Sequence, residues 1–181
     1  MTTDTLTAPA RRPPQRSPMR LGKRTRKAFL VVHVASAGAW IGMDIVLGVL
    51  VVTGLVTGSA QAAGLAFQAL ALFAVWPLVI TGLVCLLSGV VLGIGSKYGL
   101  VGYWWVAVKL VMNVVLVLLV IFALRPGVTE AARYGLDLTG GDLAGPAPTG
   151  LLFPPIVSTA ALIAATVLSV YKPWGRVRRA A

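Results

Sequence analysis

Residues 101–124 read VGYWWVAVKLVMNVVLVLLVIFAL, and Lys109 is the single charged side chain in this stretch. A helix needs about 20 apolar residues to cross the roughly 30 Å hydrocarbon core of a bilayer. This stretch therefore predicts a transmembrane helix. Three further apolar runs, at 28–56, 63–94 and 151–171, meet the same criterion. Together they predict an all-α polytopic membrane protein built as a bundle of four transmembrane helices.

The overall composition supports this class. The 181 residues are 57% hydrophobic and 12% charged, whereas a soluble domain is about 45–50% apolar and about 25% charged. Cys85 is the one cysteine and His33 the one histidine. One chain therefore has no intrachain disulfide and no zinc motif of several cysteines or histidines.

The net charge of +11 is concentrated at the two ends of the chain. Half of the 16 Lys and Arg lie within residues 1–27, and four more follow the last apolar run. Basic residues next to apolar spans are typical of cytoplasmic flanks, so the charge indicates topology rather than nucleic-acid binding. We predict a disordered basic tail at 1–27, a transmembrane domain at 28–175 and a basic tail at 176–181.

The loops predict the orientation. Four crossings place both termini on one side, together with the loop that carries Lys97, and that side holds thirteen basic residues. The opposite side holds two, Arg125 and Arg133. We predict a protein of the plasma membrane, and the positive-inside rule then places both termini in the cytoplasm.

Two local features modify the simple bundle. Pro77 lies inside the second run, where it removes a backbone donor and predicts a kink at Trp76-Pro77. Residues 125–150 are rich in Gly, Pro, Thr and Asp and predict an outer loop, with a short surface helix over 129–136.

Polar side chains within the spans are the candidate functional residues, since each is costly in lipid. They are His33, Asp44, Cys85, Ser88, Lys109 and Asn113. At 1.5 Å per residue, His33 and Lys109 lie roughly 8 and 10–12 Å from the cytoplasmic side, whereas Asp44 lies roughly 24 Å in. We therefore predict an inner cluster without Asp44. Interhelical hydrogen bonding, or snorkelling of Lys109 to the headgroups, explains the same residues structurally.

Gly38 and Gly42 form a GxxxG pair on the first helix. This spacing places two residues without side chains on one face, so the backbone of another helix can approach closely. We predict that this pair serves helix packing.

Several short motifs carry a resemblance. They are Trp40-Ile41-Gly42 after His33, Trp76-Pro77, residues 95–100 (GSKYGL) followed by Tyr103-Trp104-Trp105, and the ending of residues 168–175 (LSVYKPWG). With these motifs the chain resembles an uncharacterised family of small four-helix integral membrane proteins of actinomycetes. The resemblance covers most of the chain after residue 28 and implies the fold but no activity. The His33 to Gly42 piece is also similar to the first helix of copper-resistance D-type membrane proteins.

Three functions are compatible with these features. The first is a non-enzymatic membrane component without a cofactor, in contact with the bilayer and with a copy of itself or another membrane protein. The second is a small proton-coupled carrier that uses the inner cluster. The third is a haem or copper redox protein in which His33 is a ligand and pairs with its copy in a dimer, with Met43 or with Met112.

Overall fold

The computed structural model describes residues 22–96, 100, 102–141 and 145–171. Within these ranges, four helical rods are long and apolar enough to cross a membrane: Lys23–Val56, Ala60–Ile94, Trp104–Gly140 and Thr149–Tyr171. The predicted all-α, four-helix class is confirmed. Residues 1–21 and 172–181, which hold most of the two predicted tails, lie outside the described residues.

Helix α1 (Lys23–Val56) begins earlier than the apolar run does. We expected residues 23–27 in the tail, but they form the first turns of the helix. Lys and Arg are good helix formers, and a helix that leaves the hydrocarbon can continue into the headgroups with charged residues. Its buried positions follow each other at steps of three and four, the pattern of one helix face: Ser36, Trp40, Asp44, Leu47, Val51 and Gly54.

The second rod is broken where the sequence predicts a kink. It consists of α2 (Ala60–Phe73) and α3 (Trp76–Ile94), separated by Ala74 and Val75. Pro77 cannot donate to the carbonyl of Phe73, and its ring would clash with that carbonyl in a continuous helix. The chain therefore ends α2 at Phe73 and starts α3 with Pro77 in the first turn, where a missing N–H costs little.

The third rod corrects the predicted outer loop at 125–150. Helix α4 (Trp104–Leu119) continues through a π-helical turn (Val120–Leu124) into α5 (Arg125–Gly140). In the π-helical turn, the Arg125 N–H bonds to the Val120 carbonyl, five residues back. This change of hydrogen-bond register lets Pro126 enter at the start of α5. Gly141, at φ +81°, ends α5 in a left-handed conformation.

The fourth rod follows after a short connection. A 3₁₀ turn (Thr149–Leu152) leads into α6 (Phe153–Tyr171), which packs against α1 and α4. The largest fully buried side chains of the bundle include Trp40, Phe67 and Leu78. Outside this core the rods present large apolar side chains, such as Leu72 at 74% exposure, and such a surface matches lipid rather than water.

Glycines allow the closest helix contacts inside the chain. A Cβ built on Gly64 of α2 would lie 2.6 Å from the carbonyl oxygen of Gly135 of α5, and the reverse distance is also 2.6 Å. The Trp40 ring fills the space that a side chain at Gly82 would need. Gly38 and Gly42 differ, because both are exposed and a Cβ on either would meet nothing within 4 Å. The GxxxG pair therefore takes no part in helix packing among the described residues.

Candidate functional site

His33 connects α1 to α3. Its Nδ1 lies 2.9 Å from the carbonyl oxygen of Cys85 and 3.1 Å from the Ser88 hydroxyl. A carbonyl can only accept, so in this arrangement Nδ1 carries the proton and donates it, and Nε2 of the neutral ring keeps its lone pair. The ring packs against Gly89, where a Cβ would lie 3.0 Å from His33 Cε1. The missing side chain at residue 89 therefore makes room for the imidazole.

The Cys85 thiol lies at the centre of this contact. Cys85 is 3% exposed, and its Sγ is 3.7 Å from His33 Nδ1. The Ser36 and Asn113 side chains also face the thiol. The Asn113 Oδ1 is buried and has no hydrogen-bond partner among the described residues. We define His33, Ser36, Cys85, Ser88 and Asn113 as the inner cluster.

Lys109 belongs to a different contact. Its ammonium donates to the Ser169 hydroxyl of α6 at 2.8 Å and lies 4.7 Å from the centroid of the Trp105 ring. It is near enough to His33 and Cys85 to act on both through its charge. We predicted Lys109 within the inner cluster, and its hydrogen bond to Ser169 of α6 is a contact that the prediction did not include.

Asp44 is apart from both groups. It follows His33 by eleven residues, which is roughly 16 Å along α1. The side chain is 3% exposed, and the Thr159 hydroxyl of α6 donates to its Oδ2 at 3.5 Å. Ser158 is 8% exposed, and its buried hydroxyl also faces the carboxylate but makes no hydrogen bond with any described residue. Asp44 lines a cavity of about 350 Å³ between α1, α3, α4 and α6.

Three contributing residues were absent from the predicted set. Ser36 donates to the His33 carbonyl at 3.0 Å, and its place three residues after His33 on the same face was a usable signal. Ser158 and Thr159 are visible as polar residues of the last span. Their proximity to Asp44 depends on the register between α1 and α6, for which the sequence gives no signal.

The described residues contain no group of three or more His, Cys, Asp or Glu side chains placed to hold a metal ion. Comparison with protein-family models, with curated proteins and with solved structures finds no match.

Proposed function

We propose that the chain is a non-enzymatic component of the plasma membrane, with both termini in the cytoplasm, that associates laterally with a second copy of itself through the outward face of α1. The observation that carries the proposal is the exposure of Gly38 and Gly42, whose Cβ positions meet nothing within 4 Å. The basic ends of the sequence support the orientation.

Glycine inside a helix needs a reason, because it is about 1 kcal/mol less favourable there than alanine. Gly64 and Gly82 have such a reason inside the chain, where other atoms occupy the space of a Cβ. Gly38, Gly42 and Gly48 of α1 have none among the described residues. Gly38 and Gly42 share one face at a spacing of four, and each lies two residues from the buried Trp40, which is about 200° away around the helix. A contact with another helix outside the chain supplies the missing reason, since small residues at a spacing of four let two helices approach closely in lipid.

The inner cluster supports a structural role rather than catalysis. His33 of α1 bonds to the Cys85 carbonyl of α3, while the Ser88 hydroxyl shares its one proton between the Val84 and Cys85 carbonyls within α3, at 2.7 and 3.0 Å. Lys109 links α4 to α6. Interhelical hydrogen bonds of this kind stabilise bundles in membranes, so these side chains serve the packing of the helices. A proton-coupled carrier that uses the inner cluster would have to break them.

One observation favours the haem or copper alternative as a second candidate. The hydrogen bond from His33 Nδ1 to a carbonyl is the arrangement that orients metal-ligating histidines, and it leaves Nε2 free to bind. Met43 is ten residues away on the same helix, roughly 15 Å along its axis, so the two cannot share a metal within one chain. A site would need Met112 or the second copy.

The association is tested by energy transfer between donor- and acceptor-labelled full-length chains in liposomes at low protein density. We expect transfer for the wild type, competed away by unlabelled chain, and its loss in Gly38→Ile/Gly42→Ile. Gly48→Ile is the matched control, because Gly48 lies on α1 away from that face and its Cβ also meets nothing within 4 Å. Transfer that survives the double substitution, or that is lost equally in the control, would contradict the proposed interface.

The remaining possibility is that a different membrane protein, and not a second copy, binds to this face of α1. If the wild type shows no transfer with itself but Gly38 and Gly42 are required for crosslinking to a different membrane protein in cells, the second copy is the wrong occupant of the face. That result would overturn self-association and leave the orientation and the bundle unaffected.

A further inference from the structure

The cavity beside Asp44 has the form of a ligand site. Its volume is about 350 Å³, within the roughly 300–1,000 Å³ of small-molecule pockets, which are mainly apolar with a few polar groups. Its walls are largely aliphatic, and its polar side chains are those of Asp44 and Ser158. Both are more than nine-tenths buried, and the Ser158 hydroxyl is without a hydrogen-bond partner among the described residues.

Asp44 lacks a counter-charge in the described part of the chain. Among the described residues, the Thr159 hydroxyl donates to its carboxylate and the Ser158 hydroxyl faces it without a hydrogen bond, and no basic side chain pairs with it. A buried carboxylate in an apolar setting has to be neutralised by a proton or by a cation. An adjacent cavity large enough for a small molecule provides the room for a cation.

The walls of the cavity indicate where such a cation enters. Leu119 of α4, Phe153 and Val157 of α6 line the cavity and are 45%, 71% and 53% exposed on the outside of the bundle. The π-helical turn contributes Val120 and Leu124 to the same wall. Such turns often occur at functional sites. The wall that these residues of α4 and α6 form is therefore partly exposed at the surface of the bundle.

We infer that this cavity binds a small organic cation of the ammonium type, with apolar substituents, that reaches Asp44 from the bilayer between α4 and α6. The carboxylate excludes anions. A calcium ion would need about six to eight oxygen ligands, more than one carboxylate and two hydroxyls offer. The aliphatic walls fit the substituents of an alkylammonium, and the carboxylate fits its charge. This site goes beyond the proposed association, because Asp44 lies on the buried face of α1, away from Gly38 and Gly42.

The test is saturation binding of radiolabelled benzyltrimethylammonium to the full-length protein in nanodiscs. We expect one saturable site per chain. Its neutral isostere, neopentylbenzene, in which carbon replaces the charged nitrogen, should compete at least tenfold more weakly. Absence of saturable binding, or equal competition by the isostere, would overturn the proposal.

Variants separate charge from shape. Asp44→Asn should weaken binding at least tenfold, whereas Asp137→Asn, which removes an exposed carboxylate of α5, should leave it unchanged. Leu119→Trp fills the cavity and keeps the carboxylate, so it should also abolish binding even if Asp44→Asn fails to fold. Full binding by folded Leu119→Trp or Asp44→Asn would place the cation elsewhere and refute the site. Loss of energy transfer in Gly38→Ile/Gly42→Ile with binding intact separates this site from the association.

Discussion

The close contact between Gly64 of α2 and Gly135 of α5 predicts how a single substitution changes the stability of the bundle. In Gly64→Ala, the new Cβ would lie 2.6 Å from the Gly135 carbonyl oxygen, a distance that requires the two helices to move apart. Overpacking of this kind costs about 1–3 kcal/mol. Alanine also gains about 1 kcal/mol over glycine in a helix. The free energy of unfolding should therefore change by between about 0 and −2 kcal/mol.

Gly48→Ala isolates the cost of the overlap. Gly48 lies within α1 and its Cβ would meet nothing within 4 Å, so this variant keeps the helix gain without a clash. The difference in unfolding free energy between the two variants should then be about 1–3 kcal/mol in favour of Gly48→Ala. It is measured by reversible SDS titration in mixed micelles, with helicity followed by circular dichroism. Equal stability of the two variants, or a more stable Gly64→Ala, would refute the close contact of α2 with α5.

The remaining predictions concern the polar contacts and colour. Gln68→Leu removes the donors to the Gly135 carbonyl and the Thr139 hydroxyl and should lower the unfolding free energy by about 1–2 kcal/mol. Gln61→Leu, at an exposed position of the same helix, should not lower it. Equal effects of the two substitutions would contradict the hydrogen bonds from Gln68 to α5. His33→Ala should destabilise the bundle more than Ser88→Ala does. The Ser88→Ala variant keeps the hydrogen bond from His33 to the Cys85 carbonyl, so it should lower the unfolding free energy by less than about 0.6 kcal/mol. The reverse order in the same titration would contradict the role of His33 in joining α1 to α3. The protein purified from haem-supplied cells should be colourless, and a Soret band lost in His33→Ala would instead favour the haem alternative.

The sequence predicts the bundle well because the length of an apolar run is a local property that the bilayer thickness makes decisive. The break at Phe73–Trp76 was predictable for the same reason, since proline acts on its own helix. Helix α5 was not. Arg125, Pro126 and Gly127 indicate the end of a span, and the segment is held in place by α2 through Gly64 and Gly135, far apart in sequence.

Some contacts of the candidate residues could be predicted from their depth in the membrane, whereas others depend on how the helices pack. The depth estimate placed Cys85 and Ser88 at the level of His33, and the structure has them in contact. Depth does not specify rotation about the helix axis, so the pairing of Lys109 with Ser169 was not foreseen. The outward direction of Gly38 could have been derived from its angle of about 200° to Trp40. The cavity at Asp44 required the packing of four helices.

Cysteine accessibility tests the four-span topology most directly. In a Cys85→Ser background, single cysteines are placed at Ser59 and Ala147, between spans on the predicted outer side, and at Ser17 and Ser96 on the inner side. Spheroplasts with the full chain are treated with a membrane-impermeant maleimide, before and after permeabilisation. We expect Ser59→Cys and Ala147→Cys to react in intact spheroplasts, and Ser17→Cys and Ser96→Cys only after permeabilisation. Reaction at residues 59 and 96 from the same side would contradict a membrane crossing by Ala60–Ile94, and the inverse pattern would contradict cytoplasmic termini.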